Sequence, residues 1–451
     1  MPLTSRVLRK RGKIGLASRP KIGKEVFHRA TDSGFGRDAL ERGHRSAMTK
    51  RILPLLAMVA ALSLSGCLSV PPAYRVSGAG CTPKMEAPVP AREAIYFVAL
   101  GDPDCAGDKL AALSARRGSF HNLHEQAIEP VRYGFATQGT EKAPVLAFAA
   151  KDAWDDGLRQ SLQAPPRRIL LYVHGYNNGA TAALSAADQI AAAARFDGPV
   201  VAFIWPSQHA VTKYTWDEEN ARWAQAYFDD VLVDLVRQMP EREVVLVSHS
   251  MGTRLAIDGL RHLQTTNPDL ADRIRTVVLA SPDIDREVFD HDLAADIVRK
   301  GRRIALFASG HDLVLRSSWG VHGNPRIGDL GCVFRLRRLE TMPSDRCYPG
   351  APTLPGMPAR PADFTVIDGT DITAGLGHRN HIETPEGRRA LRQFLAEPPR
   401  LPPATDGRIV LAPMASPDCA SGHTRLGLKF SIARCGRKAD GGSGAPAGAR
   451  E

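Results

Sequence analysis

Val244-Val245-Leu246-Val247-Ser248-His249-Ser250-Met251-Gly252 is the stretch on which the fold turns. Its four aliphatic residues in succession suit a strand covered on both faces. A turn of small and polar residues follows. Leu255, Ala256, Gly259, Leu260 and Leu263 then recur at three and four residues, the stripe of an amphipathic helix. Strand, sharp turn and helix in immediate succession are the context of a nucleophile elbow, whose tip lifts one side chain clear of the sheet. Ser250 occupies that tip. Small residues two before and two after the tip let strand and helix approach closely. Gly252 fits this pattern, whereas Ser248 stands where glycine is usual and weakens the match. The Met251 amide, at a helix N-terminus, is a candidate oxyanion donor. An ordinary strand-turn-helix with polar turn residues is the plainer alternative.

Outward from this stretch, aliphatic runs alternate with helical ones. Expected strands are Ile95–Leu100, Arg168–His174, Pro199–Trp205, Glu243–Ser248, Thr276–Ala280, Arg303–Ala308 and Phe364–Ile367. Between them Ala224, Tyr227, Phe228, Val231, Leu232 and Leu235 mark a helix, and residues 385–396 a closing one. This alternation predicts an α/β fold, a mostly parallel central sheet with helices on both faces. An earlier strand, Leu170-Leu171-Tyr172-Val173, ends in His174-Gly175-Tyr176-Asn177-Asn178. Gly175 allows close backbone approach there, and the amide of Tyr176 or Asn177 is a candidate second oxyanion donor.

A serine hydroxyl is a poor nucleophile at neutral pH and needs an imidazole to take its proton, with an acid to fix that ring. In α/β-hydrolases both follow the serine, acid first. Asp312 follows the strand 303–308 through Ser309-Gly310-His311, and Asp283 follows the preceding strand through Ser281-Pro282. Asp312, on the later strand, is the favoured acid and Asp283 its competitor; either could instead cap the next helix. For the base, Gly375-Leu376-Gly377-His378-Arg379-Asn380-His381 lies after the last strand, with His378 favoured and His381 the alternative. His249, next to the nucleophile, is expected to pack behind it.

Length and charge set the rest. A chain of 451 residues has room for about three domains. Its formal charge of +11 looks like a nucleic-acid signal until it is located: residues 1–47 carry +8 and residues 48–66 another +2, leaving +1 for residues 67–451. The body therefore gives no electrostatic reason to expect nucleic acid. Lys50 and Arg51, an apolar run from Ile52 to Leu64, and Leu64-Ser65-Gly66-Cys67 resemble a bacterial lipoprotein signal with a lipid-accepting Cys67. A plain secretory signal with an incidental cysteine is the alternative. By the same resemblance Leu68 favours the outer membrane, facing the periplasm. Residues 1–47 read either as a stretch preceding the true start at Met48 or as a basic extension.

The expected organisation is signal peptide 48–66, tether 67–91, catalytic domain 92–397 with a loop-like insertion 313–362, and a Pro-rich, Cys-containing extension 398–451 with a disordered tail. Export makes the six remaining cysteines candidates for local disulfides, Cys81–Cys105, Cys332–Cys347 and Cys419–Cys435. No cysteine or histidine cluster has zinc spacing, and neither metal nor cofactor is expected.

The ordered set VHGYNN, FIWPSQ, YTWDEENARWA, VSHSMGTRL, SPDIDREVF, SGHD and GLGHRNHIETPEG resembles a bacterial α/β-hydrolase family of unknown function. The resemblance spans roughly residues 92–397, about two thirds of the chain. It implies the α/β-hydrolase fold, with Ser250 as nucleophile, Asp312 as acid and His378 as base. Trp205-Pro206-Ser207 and Tyr214 through Trp223 would line or roof the pocket, unless Trp216 and Trp223 only pack the core. The insertion and the cysteine-paired tail depart from the family. The expectation is thus a lipid-anchored envelope serine hydrolase acting on a small-molecule or lipid ester. A non-catalytic surface lipoprotein using the fold as a binding scaffold is the rival.

Overall fold

The computed structural model describes residues 94–106, 109–117, 131–138, 144–162, 168–238, 243–298, 301–330, 363–405, 407–414, 422–427 and 429–430. The described residues all fall within the unit Pro71–Glu451. The leader, Cys67, the tether and five of the six other cysteines lie outside them, as does the side chain of Cys105.

The main sheet is built from β1 (Ile95–Ala99), β4 (Arg132–Thr137), β5 (Val145–Ala149), β6 (Arg168–Val173), β7 (Val200–Ile204), β8 (Glu243–His249), β9 (Thr276–Ala280), β10 (Arg303–Ala308), β11 (Phe364–Asp368) and β12 (Arg408–Val410); β2 (Gly101–Ala106) and β3 (Lys109–Arg117) form a separate hairpin. The strand order is β12-β11-β10-β9-β8-β6-β7-β1-β4-β5. From β12 to β1 every pairing is parallel, and only β4 and β5 are added antiparallel. The longer helices are α1 (Lys151–Ser161), α2 (Ala180–Ala194), α3 (Tyr214–Gln238), α4 (Gly252–Thr266), α5 (Leu313–His322) and α6 (Pro385–Leu395).

Alternation along β6 shows why both faces need cover. Ile169, Leu171 and Val173 enter one core with Phe228 of α3 and Leu255 and Leu260 of α4. Leu170 and Tyr172 enter the other, with Leu184 and Ile190 of α2 and Leu391 and Phe394 of α6. A strand buried on both sides has no polar alternation to keep, hence the unbroken aliphatic runs. β8 is central, Leu246 pairing with Leu171 on one side and Val277 on the other. The carboxyl ends of β6, β8, β9, β10 and β11 share one edge of the sheet, where ligands of parallel α/β sheets bind.

Two expectations about organisation need correction. Residues 313–322 are not loop but helix α5, with Leu315 and Ser318 buried, and Ile327 and Leu330 beyond it are buried too. The Asp312 side chain starts that helix by accepting the Leu315 amide at 2.9 Å. Residues 331–362 lie outside the described part. The extension after residue 397 is not separate either. Arg408–Val410 continues the sheet beside β11, Arg408 forms an ion pair with buried Asp368, and Leu426 is buried in the α2 core. Asp188 of α2 binds this tail by accepting the amides of Arg425 and Leu426 at 2.8 and 2.9 Å.

Candidate active site

Ser250 sits at the tip between β8 and α4 with φ of 53°. A left-handed residue with a Cβ costs roughly 1–2 kcal/mol, so the surroundings must enforce it. They do so by backbone ties: the Ser250 amide donates to Ala280 O at 2.9 Å, and the amides of Thr253 and Asp283 donate to Ser250 O at 3.1 and 3.2 Å. A Cβ at Gly252 would come within 2.2 Å of His174 O, so no larger residue fits there. Ser248 is tolerated because its buried hydroxyl donates to Val278 O at 3.3 Å.

The turn after β6 abuts the elbow. A Cβ on Gly175 would lie 2.7 Å from Ser250 Cβ. The turn is fixed from behind by buried His174, whose Nδ1 lies 2.9 Å from Gly175 O and whose Nε2 lies 3.0 Å from the Trp205 carbonyl and 3.1 Å from its amide. Its ring stacks on Trp205 with centroids 4.7 Å apart. Burial pushes the His174 pKa down to about 4, so the ring stays neutral. Of the two candidate donors, the Asn177 amide is already given to Asp217 Oδ2 at 3.0 Å. The amides of Tyr176 and Met251 donate to no acceptor among the described residues.

Asp312 and His378 meet. His378 Nδ1–H donates to Asp312 Oδ2 at 2.8 Å, and the Asp312 side chain is fully buried. The loop carrying His378 is tied to the start of α5: the Leu313 amide donates to Leu376 O at 3.0 Å, and Gly377, with φ of 76°, lies where a Cβ would come 2.5 Å from His311 O. Asp283 is engaged elsewhere. It accepts from the Ser318 hydroxyl at 2.6 Å and from the Tyr214 hydroxyl, and forms ion pairs with Arg326 at 3.2 Å and Arg254 at 3.4 Å. Burial works to raise its pKa, but Arg254, Ser318, Tyr214 and Arg326 outweigh it and hold the carboxyl below its usual range. His381 is buried beside His249 and Phe307, its ring centroids 5.3 and 6.0 Å from theirs. Burial, with Arg379 and His378 nearby, brings its pKa down to about 3. His249 packs 4.7 Å from the His378 ring, and its Nε2–H donates to the His378 carbonyl at 3.2 Å. Burial holds it well below the usual imidazole range.

A left-handed serine follows a central parallel strand and abuts a His-Gly turn, and an Asp–His pair follows later strands at the same edge of the sheet. Residues 150–341 match the model of a family described as "Alpha/beta hydrolase of unknown function (DUF900)". The described domain has the α/β-hydrolase fold. No curated protein matches it. Several solved structures are similar to parts of it, among them an esterase, a cutinase and a phospholipase. The metagenomic carboxyl esterase MGS0156 is 16% identical over 36% of this chain and 56% of its own, with a TM-score of 0.21. A Trichoderma reesei cutinase in complex with a phosphonate inhibitor is 15% identical over 29% and 62%, with a TM-score of 0.19. Phospholipase PlaB from Legionella pneumophila is 10% identical over 36% and 44%, with a TM-score of 0.22. The chain thus spans about half the length of the solved structures it matches.

One residue that orders the turn beside Ser250 is not apparent from sequence alone. Asp217, near the start of α3, accepts the Asn177 amide, the Ser207 hydroxyl at 2.5 Å and the Gln208 amide at 2.7 Å, and so ties the turn after β6 to the loop after β7. Burial raises its pKa against these donors. A buried aspartate at a helix start within Trp216-Asp217-Glu218-Glu219 was the available signal, but nothing local separates it from the acids beside it. Tyr176 packs on Tyr214, ring centroids 5.1 Å apart, with its hydroxyl donating to Val211 O. Trp223 packs half-buried against the core, and Trp216 lies under the Lys213 ammonium, 4.5 Å from its ring centroid.

Proposed function

We propose that the protein is a serine hydrolase of carboxylic esters. The observation that carries this is the buried Asp312–His378 pair at 2.8 Å, on the same sheet edge as a serine held left-handed at the end of β8. Ser250 Oγ attacks the ester carbonyl carbon, and its proton passes to His378 Nε2. The carbonyl oxygen gains negative charge as a tetrahedral intermediate forms, and the Met251 and Tyr176 amides donate to it. When the C–O bond breaks, His378 returns the proton to the leaving alkoxide, and an acyl-enzyme remains. Water repeats the sequence and releases the carboxylic acid. Asp312 holds the His378 tautomer and stabilises the imidazolium. The chemistry needs neither metal nor cofactor.

The cell-envelope setting is proposed from the sequence alone: Cys67 would be lipidated and hold the domain at the outer membrane. The test of the chemistry is hydrolysis of a nitrophenyl ester by single and double mutants. Ser250→Ala and His378→Ala should each lose roughly 10⁴–10⁶ in turnover, with the double mutant scarcely worse, because the residues act as a unit. Additive losses, or full activity in Ser250→Ala, would remove the triad.

A further inference from the structure

Against the oxyanion turn lies a cavity of about 680 Å³, within the size range that encloses a small organic ligand. Its lining is mainly apolar, and much of it is small: Ala115 from β3, Gly179, and Ala182 and Ser185 from the first turns of α2, together with Trp205 and Pro206. The turn after β6 runs from the residue packed against Ser250 to the wall of this cavity. At one end Gly175 lies against Ser250. At the other, the Asn178 amide donates to Ser207 Oγ at 3.1 Å and the Gly179 amide to His209 Nδ1 at 3.3 Å, and Ser207, Gly179 and His209 all line the cavity. Gly175 and Gly179 are four residues apart, at most about 14 Å of extended chain.

The sheet order assigns a direction. His378, which must reprotonate the leaving alkoxide, comes from the loop after β11, three strands to one side of β8. The cavity sits at the ends of β7 and β1, to the other side, where Trp205 and Gly101 follow those strands. With the carbonyl oxygen held between the Met251 and Tyr176 amides, the two substituents of the carbonyl carbon must diverge along the sheet edge. The alcohol goes toward β11 and the acyl group toward β7. We propose that this cavity is the acyl site, and that it takes an unbranched apolar chain of medium length. This rests on the ester-hydrolase function proposed above. Small residues from α2 and β3 leave room for methylenes to lie along the wall, and the Asn178 and Gly179 amides at the cavity end of the turn are already bonded to Ser207 and His209.

The test varies the two halves of the substrate separately. With the nitrophenyl leaving group fixed, lengthening the acyl chain from acetyl toward decanoyl should raise kcat/KM about fourfold per methylene until the cavity is full, from about 0.8 kcal/mol per buried methylene. With the acyl group fixed as acetyl, lengthening the alcohol should change kcat/KM far less. Ala182→Phe should lower the decanoyl-to-acetyl ratio of kcat/KM at least tenfold, and Ser185→Leu should act in the same direction. Binding is read without turnover in Ser250→Ala: a brominated decanoate should quench tryptophan fluorescence, since Trp205 lines the cavity, and Ala182→Phe added to that protein should abolish the quenching. A flat acyl series, or an unchanged decanoyl-to-acetyl ratio in both cavity variants, overturns the acyl site while acetyl ester hydrolysis still stands. Quenching that Ala182→Phe removes, in a protein that turns over no ester, keeps the chain site and overturns the hydrolase function instead.

Discussion

Replacing Asp312 by asparagine separates the two tasks of its carboxylate. Oδ1 accepts the Leu315 amide and starts α5, while Oδ2 accepts from His378 Nδ1. Asparagine caps a helix as well as aspartate does, so its amide oxygen will keep the Leu315 bond and its NH₂ will take the place of Oδ2. An NH₂ facing Nδ1 can only donate. His378 must then carry its proton on Nε2, the nitrogen that has to accept from Ser250, and no carboxylate remains to stabilise the imidazolium. Loss of the correct tautomer in a serine triad costs about 10⁴ in kcat, roughly 5.4 kcal/mol of transition-state stabilisation. The cap survives, so stability should fall by no more than about 1 kcal/mol, or roughly 2–4 °C in Tm for a domain of this size. Nitrophenyl ester kinetics and a thermal melt on the same preparation read both quantities. Near wild-type kcat in Asp312→Asn would refute the argument. So would a melt lowered by tens of degrees, because it would mean that the carboxylate acts on the fold.

Three further outcomes follow from the same geometry. Asp283→Asn leaves Arg326 and Arg254 facing a neutral group in a buried site, which should cost on the order of 3–5 kcal/mol of stability yet leave kcat per folded molecule within a few-fold; a silent but fully stable variant would move the acid role from Asp312 to Asp283. Gly252→Ala would push a Cβ to 2.2 Å from His174 O, so it should displace the turn after β6 and lose both stability and turnover, visible in a melt and in kcat, whereas a wild-type-like variant would contradict the packing described. Buried His381 and His174 have pKa values lowered to about 3 and about 4, below the unfolded value near 6.5. They bind fewer protons folded than unfolded, so their contribution is intact above about pH 6.5 and is lost as the pH falls toward 3–4. Each should cost about 2 kcal/mol by pH 5, and urea titrations at pH 7 and pH 5 should show the drop. Equal stabilities would mean that these rings are protonated in the folded protein.

The fold was legible where burial leaves a local mark. Strands β6 to β11 are aliphatic runs because both faces are covered, and α4 and α6 show their stripes because each has one wet face. The antiparallel edge was harder to see: β4, Arg132–Thr137, has Gly134 at its middle, and a Cβ there would meet Ala147 O at 2.3 Å. β12 is three residues long and owes its place to the ion pair between Arg408 and Asp368, forty positions apart. Helix α5 begins at a cap that sequence suggests, but Leu313, Trp319 and Val321 are exposed and give it no clean apolar stripe. At the site, Ser250 and the two turns could be read from local pattern. The choice between Asp312 and Asp283 could not, since both follow strands. What distinguishes them is the company that distant segments bring: His378 to one, Arg326, Arg254 and Tyr214 to the other.

Labelling with a fluorophosphonate, followed by mass spectrometry of the adduct, addresses the serine-hydrolase function most directly. The probe needs an activated serine and reports on no particular ester. The folded wild-type protein should take up one phosphonyl group, on the peptide containing Ser250, and His378→Ala should take it up far more slowly. No adduct on folded protein, or an adduct on any other serine, would contradict a nucleophile at Ser250.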